Sequence, residues 1–204
     1  MKITILIVAL ISWVLPLQGQ DLLRHELFFG LGWAKSYEKS IFNLSPDAKS
    51  SPELAINISY LYHLKEHMAL GFQIYGFSET TPKYNVDGDN VTFDLSAFNL
   101  GVQARYIFMR GSFEPYGYLA LNLASGSAEN KKTGTLNYNG FSYGGGVGLN
   151  KRITEKIYAS LEALTSFGSA NWKERPFINS SGKKFNPAMT AVVVNISYRW
   201  GSIK

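Results

Sequence analysis

From Glu26 onward, apolar side chains recur at every second position in eight separate segments, and this regularity limits the fold more than any other feature of the chain. A period of two means that successive side chains point to opposite faces of an extended strand. The closing segment is the clearest. Val192, Val194, Ile196, Tyr198 and Trp200 share one face, and Ala191, Val193, Asn195, Ser197 and Arg199 share the other. The opening segment sets Leu27, Phe29, Leu31 and Trp33 against Glu26, Phe28, Gly30 and Gly32. The pattern returns over 54–63, 68–75, 98–108, 118–123, 141–150 and 157–164.

The links between these segments sort themselves by length. Lys65-Glu66, Arg110-Gly111-Ser112 and Thr154-Glu155-Lys156 are short, and they alternate with long links at 36–52, 78–91, 125–137 and 168–186. A sandwich has no reason to sort its loops in this way. A barrel that crosses a membrane does, with short turns on the periplasmic side and longer loops outside. Each segment is also near the roughly 9–11 residues that a tilted strand needs to span hydrocarbon.

The two faces then select the environment. One face is almost purely aliphatic and aromatic, while the other mixes Gly, Ala, Ser, Asn, Gln and Tyr with charges. A soluble barrel turns its larger apolar side chains inward. Small inner residues suit an eight-stranded lumen, which has room for side chains and little else. The expected fold is therefore all-β: an eight-stranded antiparallel up-and-down transmembrane β-barrel with short periplasmic turns and longer extracellular loops. The competing architecture is a soluble secreted ligand-binding barrel, which needs the faces the other way round. Aromatic residues gather where strands end, so Tyr60, Tyr62, Tyr106, Phe108, Phe113, Tyr198 and Trp200 are expected to form the periplasmic girdle. Phe93, Phe141 and Trp33 are candidates for the outer one.

The first residues explain how such a chain reaches its membrane. Met1-Lys2 is a short positive start, residues 3–15 are apolar apart from Thr4, Ser12 and Trp13, and Leu17-Gln18-Gly19 offers a small residue for cleavage. The apolar run is shorter than the ~20 residues of a spanning helix. Residues 1–19 are expected to be a cleaved signal peptide and 20–204 a single barrel domain, exported through the periplasm to a bacterial outer membrane. The chain has no cysteine, which removes disulfides, thiolate metal sites and cysteine lipidation together.

At this level the chain resembles the OmpA/OmpX-like eight-stranded outer-membrane barrels, especially the compact barrel domains of Bacteroidetes-type bacteria. The resemblance rests on Glu26-Leu27-Phe28-Phe29-Gly30, Pro115-Tyr116-Gly117-Tyr118, Gly144-Gly145-Gly146-Val147-Gly148 and Ile196-Ser197-Tyr198-Arg199-Trp200. It covers the mature chain and implies outer-membrane lipid, lipopolysaccharide and the outer-membrane assembly machinery as partners. Family members often end on an aromatic residue. Here Gly201-Ser202-Ile203-Lys204 follows Trp200, so the resemblance implies an assembly signal that is expected slightly upstream.

Candidate chemistry is sparse. Inner-face charges come first: Glu26 and Arg199 are expected to meet where the barrel closes, Arg105 and Glu114 to pair diagonally across a turn, and Glu162 to lie deeper. Such charges read either as an internal plug of ion pairs or as a gated or proton-linked path, and the barrel alternatively as a narrow conduit or lateral carrier for small molecules, apolar ones included. The glycine run at 144–148 lacks the lysine and following helix of a phosphate loop, and relief of crowding in the lumen explains it better. Asn85-Val86-Asp87-Gly88-Asp89-Asn90 has oxygen donors at alternate positions, but Asn90 stands where a calcium loop needs glycine, so a turn at Asp87-Gly88 is expected. His25, His63 and His67 all map to the periplasmic end, where a lipid-hydrolysing triad acting on the outer leaflet has no place. No catalytic residue, metal, cofactor or nucleic-acid partner is expected. Lys131, Lys132, Lys173, Arg175, Lys183 and Lys184 make the last two outer loops locally basic, which reads either as contacts to lipopolysaccharide phosphate or another anionic partner or as a solvated loop surface.

Overall fold

The computed structural model describes residues 24–36, 53–80, 84–86, 89–92, 94–130, 134–173 and 184–201. The strands in them are β1 (Arg24–Ser36), β2 (Glu53–Lys65), β3 (Met68–Thr80), β4 (Tyr84–Val86), β5 (Asp89–Val91), β6 (Asp94–Ile107), β7 (Phe113–Asn130), β8 (Gly134–Arg152), β9 (Ile157–Trp172), β10 (Lys184–Phe185) and β11 (Ala188–Trp200). The strands β1, β2, β3, β6, β7, β8, β9 and β11 hydrogen-bond in that order, each antiparallel to the next, and β11 returns to pair with β1. That closure makes an eight-stranded barrel. It also removes the open sheet edge, whose unpaired amides and carbonyls hydrocarbon does not tolerate.

The faces fall as the alternation requires. Leu119 is 74% exposed and Phe141 69%, whereas Glu26 and Asn195 are 0%. Leu, Ile, Val and Phe coat the outside and polar side chains fill the inside. The soluble ligand-binding barrel needed the opposite arrangement and is set aside.

The wall is uneven in height. β1, β2 and β3 have 13 residues each, but β7 has 18, β8 19 and β9 16. Of the link at 168–186, expected as a loop, residues 168–172 pair with β8 and β10 pairs with β9. The link at 125–137, also expected as a loop, is largely ladder: β7 and β8 stay paired out to Asn130 opposite Gly134. The outward side chains there are Ser125, Ser127, Asn137 and Asn139, so the apolar half of the alternation stops. The inward half continues through Ala124, Ala128, Leu136 and Tyr138, all buried. A strand that rises out of hydrocarbon no longer needs a greasy outer face, and an eye searching for one stops too early. Gly134 opens β8 with φ 85°, a left-handed conformation that glycine adopts without steric cost.

The link at 78–91 contains a second surprise. β4 and β5 pair as a small separate hairpin, Val86 opposite Asp89. The turn expected at Asp87-Gly88 lies between them, outside the described residues. β10 prolongs the line of β11 along β9, and Asn186-Pro187 interrupts it; the Pro187 carbonyl accepts from Gly168 N–H at 2.7 Å.

Candidate functional site

The lumen is the one place where charge is concentrated inside the described barrel, and register explains how it is assembled. Glu26 on β1 faces Arg199 on β11 directly across the closing seam. Arg199 Nε lies 2.8 Å from Glu26 Oε1, and its Nη2 lies 2.7 Å from Glu114 Oε2 on β7. Tyr158 on β9 supports the same guanidinium with its ring, 3.8 Å from centroid to Cζ. Glu26 also accepts from Ser197 Oγ at 2.8 Å and meets His63 Nε2 at 2.7 Å.

A residue assigned to a turn enters this group. Arg110, between β6 and β7, reaches into the periplasmic mouth. Its Nη1 donates to Glu114 at 3.2 Å and its Nη2 to His63 Nδ1 at 3.1 Å. Its Nε donates to the Glu66 carbonyl on the neighbouring turn. Burial among these groups holds the Arg110 guanidinium below its usual pKa even with Glu114 beside it.

Arg105 and Glu162 form a second, deeper group. Arg105 Nη2 lies 3.5 Å from Glu162 Oε2, with both side chains almost fully buried. The expected diagonal pair of Arg105 with Glu114 is therefore corrected. Arg105 stands opposite Tyr118, four positions further along β7 than Glu114, which separates the two by roughly 13 Å along the strand. The Arg105 guanidinium instead lies over the rings of Phe28 (4.3 Å) and Tyr116 (4.0 Å). Tyr116 and Tyr118 donate to the two oxygens of Glu162 at 2.7 and 2.8 Å.

The glycine run makes room for this layer. A Cβ on Gly148 would overlap the Tyr116 ring, and one on Gly146 would come within 2.7 Å of Tyr118 Cε1. Above it, Asn57, Asn195, Ser160, Gln73, Asn122, Ser142 and Asn99 bridge side chain to side chain. Among the described residues, cavities of about 20 and 30 Å³ lie at that level. A water molecule needs about 10–15 Å³ by the same measure, so each is the size of a water or two.

On the outside, Tyr60, Tyr62, Tyr106, Phe108, Phe113, Tyr198 and Trp200 all sit on the outer surface at the turn end. His25 joins them, stacked on Trp200 at 5.4 Å between ring centroids and hydrogen-bonded through Nδ1 to the Tyr60 hydroxyl. Trp33 and Phe141 face outward as well. Phe93 lies outside the described residues, as do residues 1–19 and the loop cations Lys131, Lys132, Arg175 and Lys183. Lys173 and Lys184 are described and exposed.

Sequence reasoning missed Arg110, His63 and the Phe28–Tyr116 cage as parts of the lumen. A charge count contained one signal. Glu26, Glu114 and Glu162 against Arg105 and Arg199 leave the inner face one cation short, and Arg110 supplies it.

Comparison with known proteins agrees with this architecture. Neisserial surface protein A (NspA) superposes with a TM-score of 0.57 at 13% identity, over 90% of this chain and 100% of that one. OprG of Pseudomonas aeruginosa gives 0.56 at 12% identity, over 91% and 99%. Ail, the attachment invasion locus protein of Yersinia pestis, gives 0.52 at 9% identity, over 87% and 99%. At these identities the likeness is one of fold. No curated protein sequence matches the chain. The family described as outer membrane protein beta-barrel domain matches residues 5–199, nearly the whole sequence, and the chain belongs to that family.

Proposed function

We propose that this outer-membrane barrel is non-enzymatic, that its lumen is closed by its own side chains, and that it strengthens the envelope and presents its long loops for contact at the cell surface. One observation carries the reading: the periplasmic half of the lumen is filled by Glu26, His63, Glu114, Arg110 and Arg199, with Arg105, Glu162, Tyr116 and Tyr118 stacked behind them. The gaps above that plug are water-sized. A hydrated ion or a small organic solute has no described path through it.

The fold itself does not choose between roles. It is shared by a protein named for the surface of Neisseria and by one named for attachment in Yersinia pestis. For this chain the support is the plug, together with the exposed Lys173 and Lys184 at the loop end, cations of the kind that lipopolysaccharide phosphates attract. The other basic loop positions, Lys131, Lys132, Arg175 and Lys183, belong to the same reading. So does export by a leader cleaved after Gly19, which the mass of the mature protein's N-terminal peptide checks.

Purified, refolded protein inserted in planar bilayers tests the closed lumen. The expected trace stays at background. Discrete conductance steps in the unmodified protein overturn the reading and leave a narrow conduit in its place.

A further inference from the structure

We propose that His63 is a proton-operated latch on the periplasmic end of the lumen, exchanging places with Arg110 as the second positive charge of the plug. The geometry fixes the protonation state at rest. Arg110 Nη2 points at His63 Nδ1 from 3.1 Å. A guanidinium has donors and no acceptor, so Nδ1 accepts. The ring proton then sits on Nε2 and is donated to Glu26 Oε2 at 2.7 Å. His63 is held neutral, as one specific tautomer.

The charges around it agree. Among the described side chains, Glu26 from β1, Glu114 from β7, Arg199 from β11 and Arg110 from the β6–β7 turn face His63, two negative and two positive, and the cluster sums to zero only if His63 is uncharged. Arg105 on β6 is matched separately by Glu162 on β9. His67, on the β2–β3 turn, donates from Nδ1 to the Ile107 carbonyl and makes that bond in either charge state.

A proton added at Nδ1 sets two donors and two positive charges against each other. Of the cluster's arginines only Arg110 is free to leave. Arg199 sits on a strand, bound by two carboxylates and the Tyr158 ring, while Arg110 sits on a turn with its side chain already 12% exposed. Once it swings out, Glu26 and Glu114 face Arg199 and a charged His63, and the sum is zero again. Both states are balanced, and the intermediate with three cations is not. The same swing releases the Glu66 carbonyl, so the β2–β3 and β6–β7 turns lose one of their ties. Acidification of the periplasm thus loosens one side of the barrel mouth.

The chain has no cysteine, so a spin label on Ser112→Cys reports that turn alone. In nanodiscs taken stepwise from about pH 8 down to about pH 4, through and below the range over which an unburied histidine titrates, the immobilised component of its spectrum is expected to be lost. In a His63→Gln background it is expected to persist at both ends. An unchanged spectrum with His63 present, or the same loss in His63→Gln, overturns the proposal. If His63→Gln does not fold, ¹⁵N spectra of the imidazoles in the unmodified barrel decide. At neutral pH His63 is expected as the Nε2–H tautomer, and a proton on Nδ1 overturns the latch.

Discussion

Each inner carboxylate is matched by more than one donor, and removing one partner costs more than the pair is worth. Glu162 accepts from Tyr116 and Tyr118 and faces Arg105. Glu162→Ala leaves Arg105 buried without a counter-charge, a loss of about 3–5 kcal/mol by the behaviour of broken buried pairs. Urea unfolding of the refolded barrel in lipid vesicles measures it. Gly148→Leu drives a side chain into Tyr116 and is expected to lower the urea midpoint, whereas a leucine at outward Gly117 faces lipid, its Cβ meeting Phe108 at an ordinary contact distance of 3.5 Å. The inner position should therefore cost more than the outer one in the same assay. At this scale the sequence was only partly legible. Glu26 and Arg199 were readable because closure makes the first and last strands neighbours. Arg110 was not, because a turn residue has no face in a period-two pattern and its reach into the mouth depends on a long, bendable side chain.

Strands are read from side-chain alternation, and that works only where the two sides meet different surroundings. Between hydrocarbon and lumen the contrast is large, so the spans of all eight barrel strands were legible. Beyond the membrane, Ser125, Ser127, Asn137 and Asn139 face water on the same wall, and the extra turns of ladder in β7 and β8 went unread. The tall section makes a testable distinction between spanning and protruding ladder. Deleting 127–136 and joining the strands by a short turn is expected to leave the barrel folded, as judged by its heat-dependent shift on SDS gels. Leu119→Arg, by contrast, places a charge on the lipid face and is expected to cost up to about 2–4 kcal/mol near the bilayer midplane, read as a lower urea midpoint in vesicles.

For the whole molecule, the balance of forces is unlike that of a soluble domain. Lipid is as apolar as the outer Leu and Phe surface, so burying that surface gives no net drive within the bilayer. Stability comes from a closed set of backbone hydrogen bonds and from the filled lumen. Cold and boiled samples are therefore expected to run at different positions on SDS gels, with only the cold band resisting protease; a single position for both would mean that the ring does not hold. The seam that makes the ring is also the place where errors in it are detectable. Any slip of β1 against β11 by one residue turns Glu26 toward hydrocarbon, and a slip by two sets it opposite Ser197 or Gly201 instead of Arg199. One ion pair between residues at opposite ends of the domain thus acts as a checksum on its assembly, satisfied by the correct alignment and by neither neighbouring one.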